Sequence, residues 1–444
     1  MSLLKKLRDL LENRNVLLTG GGGVGKSYLS KELITTFKKE GKQVVVLGST
    51  GVSAVNINGQ TIHSFFAFGI CNSLDELKRH DKYTKQRLKE LNKILESADL
   101  LVIDEISMVS ANLLDMIQAR IKNANFKGSL LFVGDFFQLP PIKSKNTDNL
   151  SLFGDAEFAF ESSAWEYFEP CIVELTQTKR TKDEHFFSIL KKIRKGEFDS
   201  EVAEYLAGLK TNLHVKDINP TILYGRNKEA DIKNLQKLEE LKATKVLLAA
   251  KEKSHVSTLN AARIQSWKNA LPIPVELTLK VGAVVLFCTN KWGSYYNGEK
   301  GIVKAIDDEF VHVEKENGQI VKVTRQEYTM HENILLNGEI EEKPLVSIEQ
   351  FPLKLAYAIT IHKSQGMSID TLVCNIDNIF EKSQFYVAIS RASEPKNLML
   401  EYSYNEKAFY NHLQRCIQVS HKVIDFYQNT DIIDIEKNFK TTLF

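Results

Sequence analysis

Cysteine is scarce in this chain. Its 444 residues hold five (Cys71, Cys171, Cys288, Cys374 and Cys416), with no CxxC pair among them. That spacing supports neither a disulfide framework nor a zinc site and suits a reducing compartment. Long apolar runs are missing as well, and none approaches the ~18 residues of a spanning helix. The opening stretch MSLLKKLRDLLENRN is charged and amphipathic, without the apolar core and cleavage site of a secretion signal. These absences predict a soluble, cytoplasmic protein that does not engage membranes. A surplus of one charge sign is also lacking: Lys+Arg (58) and Asp+Glu (56) nearly cancel, so any hold on nucleic acid must be local. Neither a repeat of 20–50 residues nor a low-complexity tract is present.

What the chain does have is material for several cores, with 43% hydrophobic residues over a length that suggests about three domains. Short apolar runs (NVLLTG, QVVVLGST, LLVIDE and SLLFVGD) fall within residues 15–135 and alternate with amphipathic helical stretches. Buried strands alternating with helices predict a parallel α/β sheet. A second set, TILYG, VGAVVLF, TLVCNI and NLMLEY, predicts a second α/β lobe. Between them, residues 291–350 show short alternating segments (GIVKAI, FVHVEK, QIVKVT) broken by Asp-Asp and Asn-Gly turns, the pattern of a small inserted β-barrel. Residues beyond about 420 carry no readable signal.

Residues 20–27 read GGGGVGKS, a match to GxxxxGK[ST] placed after a predicted strand and before a predicted helix. Glycines let backbone N–H groups turn inward around phosphates, and a helix N-terminus adds the positive end of its dipole. In that arrangement Lys26 reaches the β- and γ-phosphates, and Ser27 offers a hydroxyl to Mg²⁺. LLVIDE places Asp104 and Glu105 at the C-terminal end of a buried strand, where open α/β sheets bind ligands. Asp104 is the expected Mg²⁺ holder, and Glu105 the group that polarises the attacking water. GDFFQLPP (residues 134–141) adds Asp135 and Gln138 at the same edge, with Gln138 a candidate γ-phosphate sensor. On its own, that last pattern is weak.

The order GGGGVGKS, GVSAVNINGQTIHSFF, VIDEISMV, GDFFQLPPI, ELTQTKRT, AITIHKSQGMSID and FYVAISRAS resembles the Pif-type (petite integration frequency) DNA helicases of superfamily 1B, and more distantly the RecD and phage Dda helicases. The likeness spans roughly residues 15–402. It is most specific in LLDMIQARIKNANFKGSLLFVGDFFQLPPI and in LPIPVELTLKVGAVVLFCTN leading to YYNGEKGIV. It implies an α/β fold of two RecA-like P-loop lobes with parallel sheets and ATP between them, plus an SH3-like barrel inserted in the second. Expected boundaries are lobe one at 1–175, with a short strand-separating insert near 66–97, lobe two at 176–290 and 351–420, the barrel at 291–350, and a tail at 421–444.

By the same resemblance Arg180 and Arg391 are the arginines that reach the γ-phosphate, an interaction worth ~10³–10⁵ in rate. Gly20, Gly23, Gly25, Tyr28, Gln365 and Gly366 complete the expected nucleotide contacts, with Gln138 and Gln365 as couplers. The expected DNA contacts are Thr50, Gly51, Thr61, His63, Ser64, Phe65 and Pro140 on one lobe, and Thr360, His362, Lys363 and Ser364 on the other. There, hydroxyls, imidazoles and the lysine hold phosphates while Phe65 stacks on a base; Phe66 and Phe68 are read as core. The cofactors implied are ATP and Mg²⁺. The partners implied are single-stranded DNA and tailed or forked duplex DNA, acted on by a monomer moving 5′-to-3′, with RNA hybrids and quadruplexes as further substrates. The chain departs from the family pattern in having no Gln at the usual spacing upstream of the P-loop, and Gly48-Ser49-Thr50 where Ala-Pro-Thr is common. The residues alone also admit a P-loop switch that remodels protein partners, with the β insert as its binding module.

Overall fold

The computed structural model describes residues 2–57, 59–69, 71–141, 156–210, 220–257, 259–403 and 406–437. They form two compact units, one of residues 1–177, 331–344 and 420–444, the other of residues 178–330 and 345–419.

In the first unit the apolar runs become β1 (Val16–Thr19), β2 (Val44–Gly48), β4 (Leu100–Asp104) and β5 (Ser129–Val133), joined by β3 (Gln60–Thr61) and β6 (Cys171–Glu174). All run parallel, in the order β6-β1-β5-β4-β2-β3. Every residue of β1 and β2 is buried, as expected of strands covered on both faces, and this is why they read as unbroken apolar runs. The helix Lys26–Lys39 packs on β2 and β5. Because the strands are parallel, their C-terminal ends share one edge. The registered pairs Thr19–Glu174, Gly48–Asp104 and Asp104–Val133 mark it.

Two features of this unit went unread in the sequence. One is β6. The other is a three-residue strand, Ile432–Asp434, which extends the sheet by pairing parallel with β6. The described residues beyond 420 (421–437) therefore include a strand of this sheet. The expected insert consists of helices Leu74–His80 and Lys85–Ser97. Asp81, just past the first helix, forms a two-pronged ion pair with buried Arg120, both contacts at 2.7 Å. Arg120 also donates through Nε to Phe66 O (3.1 Å), and the Phe66 and Phe68 rings are fully buried, as read from the sequence.

The second unit holds a parallel sheet in the order Ala358–Thr360, Thr221–Tyr224, Leu372–Asn375, Leu398–Glu401. VGAVVLF was expected to join this lobe's parallel strands and does not. Its Val284–Phe287 strand pairs antiparallel with Lys300–Ile306 and Leu353–Leu355, in a five-stranded sheet completed by Phe310–Lys315 and Ile320–Thr324. The strand is wholly buried, and burial on both faces erases the alternation that would have marked it as antiparallel. Val285, Phe287, Val303, Val311, Val313, Val323 and Phe351 belong to one buried apolar cluster against this sheet. The Asn-Gly turn signal holds at Asn317–Gly318 (Gly318 φ 80°), where Gly318 N donates to Lys315 O (2.9 Å) between the antiparallel strands Phe310–Lys315 and Ile320–Thr324. Among the described residues no helix is long and apolar enough to cross a membrane, and all five cysteines are free thiols.

Candidate functional site

The glycine-rich loop leaves β1 at the shared sheet edge. Gly20 (φ 136°) needs its missing side chain, because a Cβ there would sit 2.4 Å from Leu175 O. Gly25 (φ 100°) adopts the left-handed conformation that starts the helix at Lys26, so Lys26 and Ser27 occupy its first turn. The Lys26 ammonium folds back over the loop and donates to Gly20 O (2.6 Å) and Gly21 O (3.1 Å). Tyr28, on the next position, is 74% exposed.

Asp104 ends β4, and Glu105 follows in the left-handed region (φ 54°, ψ 51°), an unfavourable conformation for a residue with a Cβ. Desolvation, then the neighbouring Glu105 charge, pushes the Asp104 carboxyl up to about 7, although Lys26 and Lys31 oppose the shift. A desolvated carboxyl with a second carboxylate beside it, next to a glycine-lined helix start, would suit a divalent cation and the phosphate that the helix dipole favours. The donor set of Ser27 and Asp104 therefore fits Mg²⁺ accompanied by a nucleotide.

The loop after β5 meets the same edge. Asp135 is fully buried: its Oδ1 accepts from Phe137 N (3.2 Å) and its Oδ2 lies 3.4 Å from Gln138 Nε2. The carboxylate thus orients the buried Gln138 amide, a role not read from the sequence. Pro140 is half-buried.

In the second unit Arg180 and Arg391 converge on Ser390. Arg180 donates through Nε to Ser368 Oγ (2.9 Å) and through Nη1 to Ser390 O. Arg391 is buried, donating to Val387 O (2.9 Å) and Ser390 Oγ (3.1 Å). Although Arg180 as a residue is only half-buried, its guanidinium is deeply desolvated. That desolvation, and then repulsion from Arg391, pulls its pKa down to about 9, which still leaves it charged at neutral pH. Two cations compressed in this way are relieved by an anion. Ser368 and Ser390, which hold them, lie inside the quoted motifs but were not singled out by sequence.

The segments expected to touch DNA split into exposed and buried members. Thr50 caps the helix Gly51–Asn56 through reciprocal bonds with Ser53. Gly48, where the family commonly has Ala, has no room for a methyl, since a Cβ would lie 2.3 Å from Ala54 N. Thr61 caps the short helix Ile62–Phe65, from which His63 is exposed and Ser64 is half-buried. The surroundings of the His63 imidazole still desolvate it enough to lower its pKa.

Phe65 is a correction. At 1% exposed, its ring packs edge-on against Phe66, so it belongs to the core and offers no face to a base. In the second unit Lys363 and Gly366 are exposed, and His362 is half-buried with its pKa lowered by desolvation. Thr360 and Ser364 are also corrections. Both are buried. The Thr360 hydroxyl accepts from Lys363 N (3.4 Å) and Ser364 Oγ donates to Ile361 O (2.7 Å), so both hydroxyls shape the turn that presents Lys363. Gln365 Nε2 is buried with no hydrogen-bond partner among the described residues, an unmet donor at the expected coupling position. Asn58 and Ile142 of the quoted motifs lie outside the described residues.

With this geometry in view, comparisons with known proteins are specific. The PIF1-like helicase family profile matches residues 8–204. The ATP-dependent DNA helicase Pif1 of Campylobacter jejuni is 39% identical, over 98% of this chain and 99% of its own. The structure of Bacteroides sp. Pif1 in complex with ADP-AlF4 is 28% identical and superposes with a TM-score of 0.81 over 96% of each chain. Bacteroides Pif1 bound to single-stranded DNA, likewise 28% identical, gives 0.64 over 96% of each chain.

Proposed function

This chain belongs to the PIF1-like helicase family, and from that premise we propose that it is an ATP-driven motor that translocates 5′-to-3′ on single-stranded DNA and unwinds duplex ahead of it. The observation that carries the reading is the convergence of the glycine loop, the Asp104–Glu105 pair and Gln138 on one edge of a single parallel sheet. Lys26 neutralises the β- and γ-phosphates, exchanging its donors from Gly20 O and Gly21 O to phosphate oxygens. Glu105 polarises the attacking water, and Gln138, held by Asp135, orients it. Ser27 and Asp104 are the residues that would hold Mg²⁺, which supplies charge neutralisation when bound. Arg180 and Arg391 contribute the cations whose mutual repulsion the γ-phosphate relieves.

His63 and Lys363, with Thr50, Thr61 and His362 in support, are the groups proposed to hold DNA phosphates. Such contacts ignore base sequence, as translocation requires. The helices Leu74–His80 and Lys85–Ser97, tied down through Asp81–Arg120, are the proposed strand-separating insert. The test is unwinding of duplexes carrying a 5′ or a 3′ single-stranded tail, with ATP and Mg²⁺. Unwinding confined to the 5′-tailed substrate is the expected result. Unwinding confined to the 3′-tailed one refutes the polarity, and unwinding of neither refutes the motor.

A further inference from the structure

Beyond the motifs, one side chain bridges two parts of the phosphate site. It comes from the segment that returns to the first unit through the helix His421–Gln428. The hydroxyl of Tyr427 lies 2.9 Å from Thr19 Oγ1 and accepts from Phe136 N at 3.4 Å. Thr19 is fully buried and immediately precedes Gly20, whose carbonyl takes the Lys26 ammonium. Phe136 lies between Asp135 and Gln138. A single phenol oxygen therefore ties the stem of the glycine loop to the loop that carries the candidate γ-phosphate sensor.

The Tyr427 ring stacks on Phe137 (4.8 Å between centroids, 11° apart), and Phe426 stacks on Phe160 (4.4 Å, 14°) and meets Trp165 edge-on. Farther along the same segment, Glu436 accepts from the backbone N–H groups of Thr176 and Gln177, both at 2.7 Å, fixing the exit from β6. These bonds span more than 250 positions of chain and pin three loops of one sheet edge.

We propose that Tyr427 is a positioning residue for ATP hydrolysis, setting the spacing between the glycine loop and the Asp135–Gln138 turn, and that the segment bearing it is a functional part of the nucleotide site. The inference rests on reading Lys26, Glu105 and Gln138 as the hydrolytic site. It predicts a change in turnover with little change in nucleotide affinity, because the hydroxyl's bonds to Thr19 Oγ1 and Phe136 N set the spacing of the two loops.

The test compares Tyr427→Phe, which keeps the ring and removes the bridge, with Phe426→Leu, which thins the same aromatic cluster but leaves the hydroxyl in place. ATP turnover with saturating single-stranded DNA is measured beside thermal unfolding. Tyr427→Phe is expected to lower kcat about fivefold while KM for ATP stays within about twofold, and Phe426→Leu to lower the melting temperature with kcat retained. Two results overturn the proposal: an unchanged kcat in Tyr427→Phe, or equal kcat losses in both variants that track their melting temperatures. If the unaltered protein hydrolyses no ATP, the reading of the site itself has failed, which separates that outcome from failure of the bridge.

Discussion

Arg120 in the first unit and Arg180 in the second are both withdrawn from water, but their partners differ in kind. Arg120 meets a carboxylate with two matched contacts at 2.7 Å and gives its Nε donor to Phe66 O. Its charge is balanced within the fold, and its work is to fasten the end of the helix Leu74–His80 to the helix Ala111–Asn123. Arg180 meets the neutral oxygens of Ser368 and Ser390 and is repelled by Arg391. Its geometry is held but its charge is not balanced. A buried cation with a carboxylate is a fastener, whereas a held cation facing another cation is prepared for an anion that comes and goes.

The predictions press on that contrast. Arg180→Ala is expected to reduce DNA-stimulated kcat by ~10³ with little change in melting temperature; a variant that melts early but turns over normally would make Arg180 a fastener too. Arg120→Ala should do the reverse. Losing charge-assisted hydrogen bonds to a half-buried Asp81 costs about 1.5–3 kcal/mol, a fall of several degrees in melting temperature, with ATP turnover of the folded fraction preserved. Full loss of turnover at temperatures where the variant remains folded would break the comparison.

Asp104 extends it to a carboxylate whose desolvation and neighbouring Glu105 charge outweigh the opposing Lys26 and Lys31. Its folded pKa lies above its unfolded one, so the native state holds the extra proton, and stability is lost as pH rises from about 4 to about 7. Asp104→Asn removes that penalty, so its melting temperature should match that of the unaltered protein near pH 4 and exceed it by a few degrees near pH 8. An equal difference at both pH values would contradict the desolvated carboxyl. The smallest effect is at Lys363, an exposed cation. Lys363→Ala should lower the salt slope of DNA binding by about one unit, equally for every sequence.

How much of this was written locally explains what the sequence disclosed. The glycine loop, β1, β2, β4 and β5 are runs of neighbouring residues whose burial and backbone demands show directly in composition. Two of the corrections came from bonds between residues three apart and a third from which way a ring faces. Thr360 and Ser364 turn their hydroxyls into their own turn, and Phe65 faces inward from a single helical turn; a motif string carries none of that. Val284–Phe287 was read as parallel because burial on both faces removes the alternation. Tyr427 and the strand Ile432–Asp434 were invisible because their meaning lies in partners hundreds of residues away. The two-arginine site fell between these cases. Arg180 and Arg391 were legible only through family resemblance, and what the structure added is Ser390 as their shared anchor.

The most direct measurement is steady-state ATP hydrolysis with Mg²⁺, with and without single-stranded DNA, in the unaltered protein and in Lys26→Ala. The account predicts slow turnover that rises strongly on adding DNA, and none in Lys26→Ala even though that variant still binds DNA. Turnover indifferent to DNA, or undiminished without the Lys26 ammonium, would contradict it.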